Sequence, residues 1–198
     1  MYLNFFKIFR MNAVAIEQRK KIHPHKFALW VAIGSIVMMF AGLTSAYIVK
    51  RNQANWITFE LPDLFWYSTV AILLSSVTMA LALKFFKERN TPRYRNFLSI
   101  TLLLGIVFIA LQVIGFVQLW NRGVTLQSTV SVSFLYVIVG LHALHVVGGV
   151  MALLVMFIKA FSSRTRNYST VPVEVMGAYW HFVDILWVYL LIFLLMIK

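Results

Sequence analysis

Five ionisable side chains fall within long apolar runs, and their spacing limits the chemistry open to them. His142 and His145 are three residues apart, and Gly149 follows four later. On a helix those positions share one face. Glu174, Gly177, His181, Asp184 and Trp187 repeat at nearly the same rhythm. Histidine and aspartate are metal-ligand types, proton carriers and strong hydrogen-bonding groups. The set is open to three readings: a hydrogen-bonded network that locks helices together or onto a partner subunit, a proton or lipid-headgroup site, and a metal or haem site. Two histidines that grip one ion from a single helix usually stand four apart. A spacing of three serves di-iron bundles, but those add several glutamates, more than this chain offers. The spacing therefore argues for the network ahead of the metal. Asp184 sharpens the question. An ionised carboxylate in mid-membrane costs at least about 2.5–3.5 kcal/mol on insertion scales, so Asp184 must be held by a partner or carry its proton. His181, one turn earlier, and a histidine of the preceding run are the candidate partners. Glu174 stands near the start of its run, where an interfacial position suits it.

The elements that must position these groups are membrane spans. Of 198 residues, 61% are hydrophobic, against roughly 45–50% in a soluble domain. The excess is gathered in five blocks, at about 27–49, 64–86, 97–120, 130–158 and 175–197. Each reaches the roughly 20 residues that a helix needs to cross about 30 Å of hydrocarbon. Barrel strands would alternate in hydrophobicity, whereas the run 100–111 is apolar on every side. The expectation is an all-α integral membrane bundle of five transmembrane helices over 27–198, preceded by a basic segment over 1–26. Residues 1–9 could lie on the membrane surface, and the start could be Met1 or Met11. The connections carry turn residues: Asn52, Gln53, Ala54 and Asn55; 88–95 with Pro92; Asn121, Arg122 and Gly123; and 162–172.

Lys and Arg are shared unevenly between the two sides. With five spans, the N-terminal segment, the second connection and the fourth connection fall on one side with fourteen, against four on the other. The positive-inside rule then puts the N-terminus in the cytoplasm and the C-terminus outside. The net charge of +12 is read as topology signal and attraction to anionic lipid, not as a nucleic-acid surface. The chain has no cysteine, which excludes disulfides and thiolate metal sites. It has no Gly-rich phosphate loop and no nucleophile elbow. Trp30, Trp56, Trp66, Tyr67 and Trp120 lie near span ends, as an aromatic belt would. In the first span Ser35, Met38, Gly42 and Ser45 form a small-residue stripe, which suits a close helix contact in lipid. Gln112 and Gln118 are read as packing residues.

Three segments carry a family resemblance. Residues 178–187 read AYWHFVDILW, similar to the last-helix motif of subunit III of haem–copper terminal oxidases, the cytochrome c and quinol oxidases. Residues 140–149 read GLHALHVVGG and resemble that family's His-x-x-His-x-x-x-Gly helix. Residues 30–47, ending in MMFAGLTSAY, resemble its first shared helix, with His23, Pro24, His25 and Lys26 leading in. The resemblance implies a short, five-helix bacterial form in the cytoplasmic (inner) membrane. It implies a non-catalytic subunit that carries no haem, copper or other metal itself, packs against subunit I, binds phospholipid and supports assembly, lasting turnover and proton uptake. Partners would be oxidase subunits I and II, which hold the haem and copper, and possible membership of a larger supercomplex. His142, His145, His181, Asp184 and Glu174 would be family-signature positions, not ligands; Ser35, Gly42, Ser45, Gly149 and Gly177 would serve helix packing. One departure stands out. Many members have Ser-Glu midway along the first shared helix, where this chain has Ser35 and Ile36, so proton uptake through that position is in doubt. An accessory subunit of a nitric oxide reductase and a stand-alone membrane metal- or haem-binding protein are the rival readings.

Overall fold

The computed structural model describes residues 24–51, 63–123, 129–162 and 169–196. Most of the basic segment 1–26, Trp56 and the connection at 52–55 lie outside the described residues. Five helices follow in order: α1 (Pro24–Lys50), α2 (Leu64–Lys87), α3 (Thr91–Asn121), α4 (Val130–Phe161) and α5 (Val171–Met196). All five are long and apolar enough to cross a membrane. The expectation of a five-span all-α bundle is met.

Several helices are longer than their apolar blocks, because the polar turns at their ends are helical too. α3 starts at Thr91, not near residue 97. Pro92 sits in its first turn, where a missing N–H costs nothing, and the Asn90 side chain accepts from the Arg93 N–H at 3.4 Å. Pro92 thus opens a helix; it does not mark a loop. The connection from α2 shrinks to 88–90, with Arg89 in the left-handed region at φ 58°. Its N–H bonds the Phe86 carbonyl at 3.1 Å, and that of Asn90 bonds Phe85 at 3.0 Å. These bonds satisfy carbonyls that a helix end would leave open.

α5 is the central element. Its backbone lies against α1, α2 and α4, and two tryptophans extend it to α3. α2 and α3 form a closely packed hairpin, α3 runs beside α4, and α4 beside α1. α1 and α2 follow one another in sequence but do not approach each other. In lipid the packing cannot come from hiding apolar surface, since the tails are equally apolar. Close fit and hydrogen bonds between helices must supply it, and both centre on α5.

Candidate functional site

The polar side chains of α5 meet α2 in two layers, one heptad apart. In the first, the Trp180 indole Nε1 donates to the Ser75 hydroxyl at 2.8 Å. In the second, Trp187 Nε1 donates to the Thr69 hydroxyl at 2.9 Å. The partners descend along α2 as the tryptophans ascend along α5, as antiparallel neighbours must. Both indoles are buried. An indole N–H in hydrocarbon without an acceptor would be costly, and α2 supplies an acceptor for each.

Trp180 also fixes α3 and α4. A Cβ built on Gly105 of α3 would stand 2.9 Å from its ring, and one on Gly149 of α4 also 2.9 Å. Both glycines are therefore cut to the thickness of this indole. Gly177 has ordinary contact with α2, its would-be Cβ standing 3.7 Å from Met79 and 3.9 Å from Leu83. Beside Trp180, His181 Nδ1 and the Ser76 hydroxyl are 2.6 Å apart, and Thr78 of α2 meets Thr101 of α3 at 2.8 Å.

The Trp187 layer holds His142. The imidazole stacks on the indole with centroids 5.1 Å apart and planes at 28°. Phe108 meets both rings edge-on, at 6.0 Å from His142 and 5.3 Å from Trp187, and Phe40 of α1 closes another side at 6.4 Å. His142 is 0% exposed, and neither ring nitrogen has a hydrogen-bond partner among the described residues. Gln112 lies deep in α3 and donates to the Ser68 hydroxyl at 2.9 Å. His145 turns inward on its own helix: Nδ1 donates to the Leu141 carbonyl at 2.7 Å. Tyr179 of α5 donates to the His145 backbone carbonyl at 3.0 Å.

Asp184 is 2% exposed, and neither carboxyl oxygen has a hydrogen-bond partner among the described residues. Neither candidate partner, a histidine of α4 or His181, hydrogen-bonds it. Three residues of helix rotate one side chain by about 60° from the other, and Ser76 takes the histidine instead. Glu174 lies apart from this set, at the end of the bundle. Its Oε2 pairs with Lys26 of α1 at 2.8 Å and its Oε1 with Lys87 of α2 at 3.0 Å. The start of α1, the end of α2 and the start of α5 thus share one face of the membrane, as an alternating five-span path requires.

The first-helix stripe points away from the bundle. Ser35, Gly42 and Ser45 are exposed, the Ser35 hydroxyl donates to the Ala32 carbonyl at 2.8 Å, and a Cβ on Gly42 would meet nothing within 4 Å. Among the described residues the stripe makes no helix contact; α1 instead buries Ile36, Phe40, Thr44 and Tyr47. Gln118 is exposed, while Trp30, Trp66, Tyr67 and Trp120 stand on the outer surface. Among the described residues no three His, Asp or Glu side chains converge as a metal site would need.

Sequence reasoning passed over Gly105 and the α2 hydroxyls Ser68, Thr69, Ser75 and Ser76. The signal was there: two pairs of hydroxyl residues, seven apart, in an otherwise apolar span.

Comparison with known proteins gives one consistent result. A family model described as cytochrome c oxidase subunit III matches residues 25–197. A probable cytochrome c oxidase subunit 3 from Nocardia farcinica is 30% identical over 190 residues, covering 88% of this chain and 90% of its own length. The cytochrome c oxidase subunit 3 of Bacillus subtilis is 29% identical, covering 89% of this chain and 86% of its own length. A probable quinol oxidase subunit 3 from Staphylococcus haemolyticus is 24% identical, covering 84% and 85%.

Proposed function

The chain belongs to the cytochrome c oxidase subunit III family, and from that premise we propose that it is a non-catalytic, structural subunit of a bacterial haem–copper oxygen reductase. It is a multi-pass membrane protein and a component of an oxidase complex of the respiratory chain. In the proposed assembly it docks on subunit I, beside subunit II, in the cytoplasmic membrane. Those subunits hold the haem and copper and reduce oxygen. This chain supports their assembly, stability and proton-pumping turnover.

The observation that supports this role is how the polar groups of α5 are used. Trp180, His181 and Trp187 are each engaged with a hydroxyl of α2. His142 is enclosed by aromatic rings, and His145 is bound to its own helix. These side chains hold helices in register. They do not converge on a common point where a metal or substrate could be gripped.

The bundle end that carries Lys26, Lys87 and Glu174 faces the cytoplasm in this proposal, by the excess of Lys and Arg on that side. The basic segment 1–26 is then cytoplasmic, the bundle spans 27–198, and the C-terminus lies outside. A shallow groove at the same end is lined by Ala80, Leu83, Lys84, Lys87 and Glu88. An apolar wall whose rim carries Lys84, the Lys87 ammonium shared with Glu174, and the Glu88 carboxylate suits a phospholipid headgroup.

Purification through a tag on this chain in mild detergent tests the proposal. Co-elution of two larger subunits, with haem and copper assigned to them and oxygen consumption retained, is the expected result. A chain that emerges without such companions yet carries its own haem or metal contradicts it.

A further inference from the structure

We propose that the groove between α1 and α2, floored by the outer face of α5, seats one transmembrane helix of a companion oxidase subunit that presents a hydrogen-bonding side chain to His181. The proposal rests on the subunit III reading and names the surface through which this chain would join its complex.

The groove follows from which helices touch. α1 and α2 both pack on α5 but do not approach each other. The strip of α5 between them stays uncovered, with Ala178, Ile185, Tyr189 and Ile192 exposed. Contacts at its edges fix which wall is which. His181 reaches the Ser76 hydroxyl of α2. On the other side the Tyr189 hydroxyl meets Thr44 of α1 at 3.2 Å. At one end Glu174, on the floor, holds Lys26 of one wall and Lys87 of the other. That pair of ion bridges spans the two walls and closes the groove at the membrane face.

The depth and polarity of His181 identify the occupant. It lies seven residues beyond Glu174 on the same strip, about 10 Å into the membrane. The ring is half-buried, and only Nδ1 is engaged. Nε2 has no partner among the described residues. A lipid tail offers no hydrogen bond, and polar groups at this depth are met by protein or by a water-lined cavity. The outward face of α3, by contrast, carries Ile100, Leu103, Ile106 and Val113, bulky aliphatic groups that suit lipid. An uncovered strip that is closed at one end and carries a polar group partway along it fits a single helix whose facing side bears a hydrogen-bonding residue.

The test uses the intact complex in native membranes. A photo-activatable benzoylphenylalanine is placed at Ile185 on the groove floor, and in a parallel sample at Leu103 on α3. The expected result is a crosslink from Ile185 to a transmembrane segment of a companion identified by mass spectrometry as a haem–copper oxidase subunit, with lipid adducts from Leu103. Combining the Ile185 probe with His181→Leu should lower that crosslink about threefold, the scale of one interhelical hydrogen bond in a membrane. If Ile185 crosslinks only to lipid, or only to a second copy of this chain, while the oxidase companions still co-purify, the groove proposal is overturned and the subunit III reading stands. If no oxidase companions co-purify at all, both are overturned.

Discussion

Trp187 lies flat against His142, ring centroids 5.1 Å apart, while its indole nitrogen donates to Thr69. One side chain of α5 thereby joins α4 through stacking and α2 through a hydrogen bond. Trp187→Phe keeps a ring against His142 but removes the donor. It should cost about 0.6–1.7 kcal/mol, the range for interhelical hydrogen bonds in membranes. Thr69→Val should cost a similar amount, and the double variant little more than either alone. Unfolding in mixed micelles measures all three; fully additive losses would mean that the bond contributes nothing.

The fit of Trp180 between two glycines makes a second prediction. A methyl on Gly149 would stand 2.9 Å from the ring, and the ring cannot retreat without giving up Ser75. Gly149→Ala should destabilise the bundle by about 1–3 kcal/mol, as overpacking of a close core does. Gly140→Ala is the control on the same helix, since a Cβ there meets nothing within 4 Å. Equal melting of the two variants would contradict the close fit.

Glu174 bridges α1 and α2 at the membrane face, but its partners are about half exposed, with side chains 44% and 52% accessible. The coupling should therefore be that of a surface pair, about 0.2–1 kcal/mol for each lysine, and should weaken with salt. A double-mutant cycle with Glu174→Gln and Lys26→Gln at low and high ionic strength measures it. A coupling that does not change with salt would show that the pair is shielded from solvent.

Much of this arrangement is legible in the sequence, because hydrophobic length, charge bias and helical period are local properties. Five spans, the shared side of Lys26, Lys87 and Glu174, and the faces carrying His142 and Asp184 all follow from them. The helix ends were less legible: Pro92 reads as a breaker until it is seen in a first turn. Partners across helices were not legible. His181 bonds to Ser76, 105 residues away, and no periodicity chooses Ser76 over Asp184. The stripe of Ser35, Gly42 and Ser45 shows the same limit. Period marks it as one face of α1 but does not say that this face turns away from the other four helices. Ile36, at the position where the family resemblance leads one to look for a carboxylate, is buried in the core with Phe40.

In the proposed function the hydrogen-bonded side chains of α5, Trp180, His181 and Trp187, hold the bundle together and take no part in the oxidase chemistry. Trp180, whose indole donates to Ser75 and fits against Gly105 and Gly149, tests it most directly. In a Trp180→Phe strain, which loses the donor to Ser75, assembled enzyme per milligram of membrane is measured from haem content, alongside oxygen turnover and protons pumped per electron, both normalised to that haem. A several-fold fall in assembled enzyme is expected, as a loss of about 1–2 kcal/mol produces for a marginally stable protein, with turnover and pumping per haem unchanged. A variant that assembles in full but no longer pumps would contradict it.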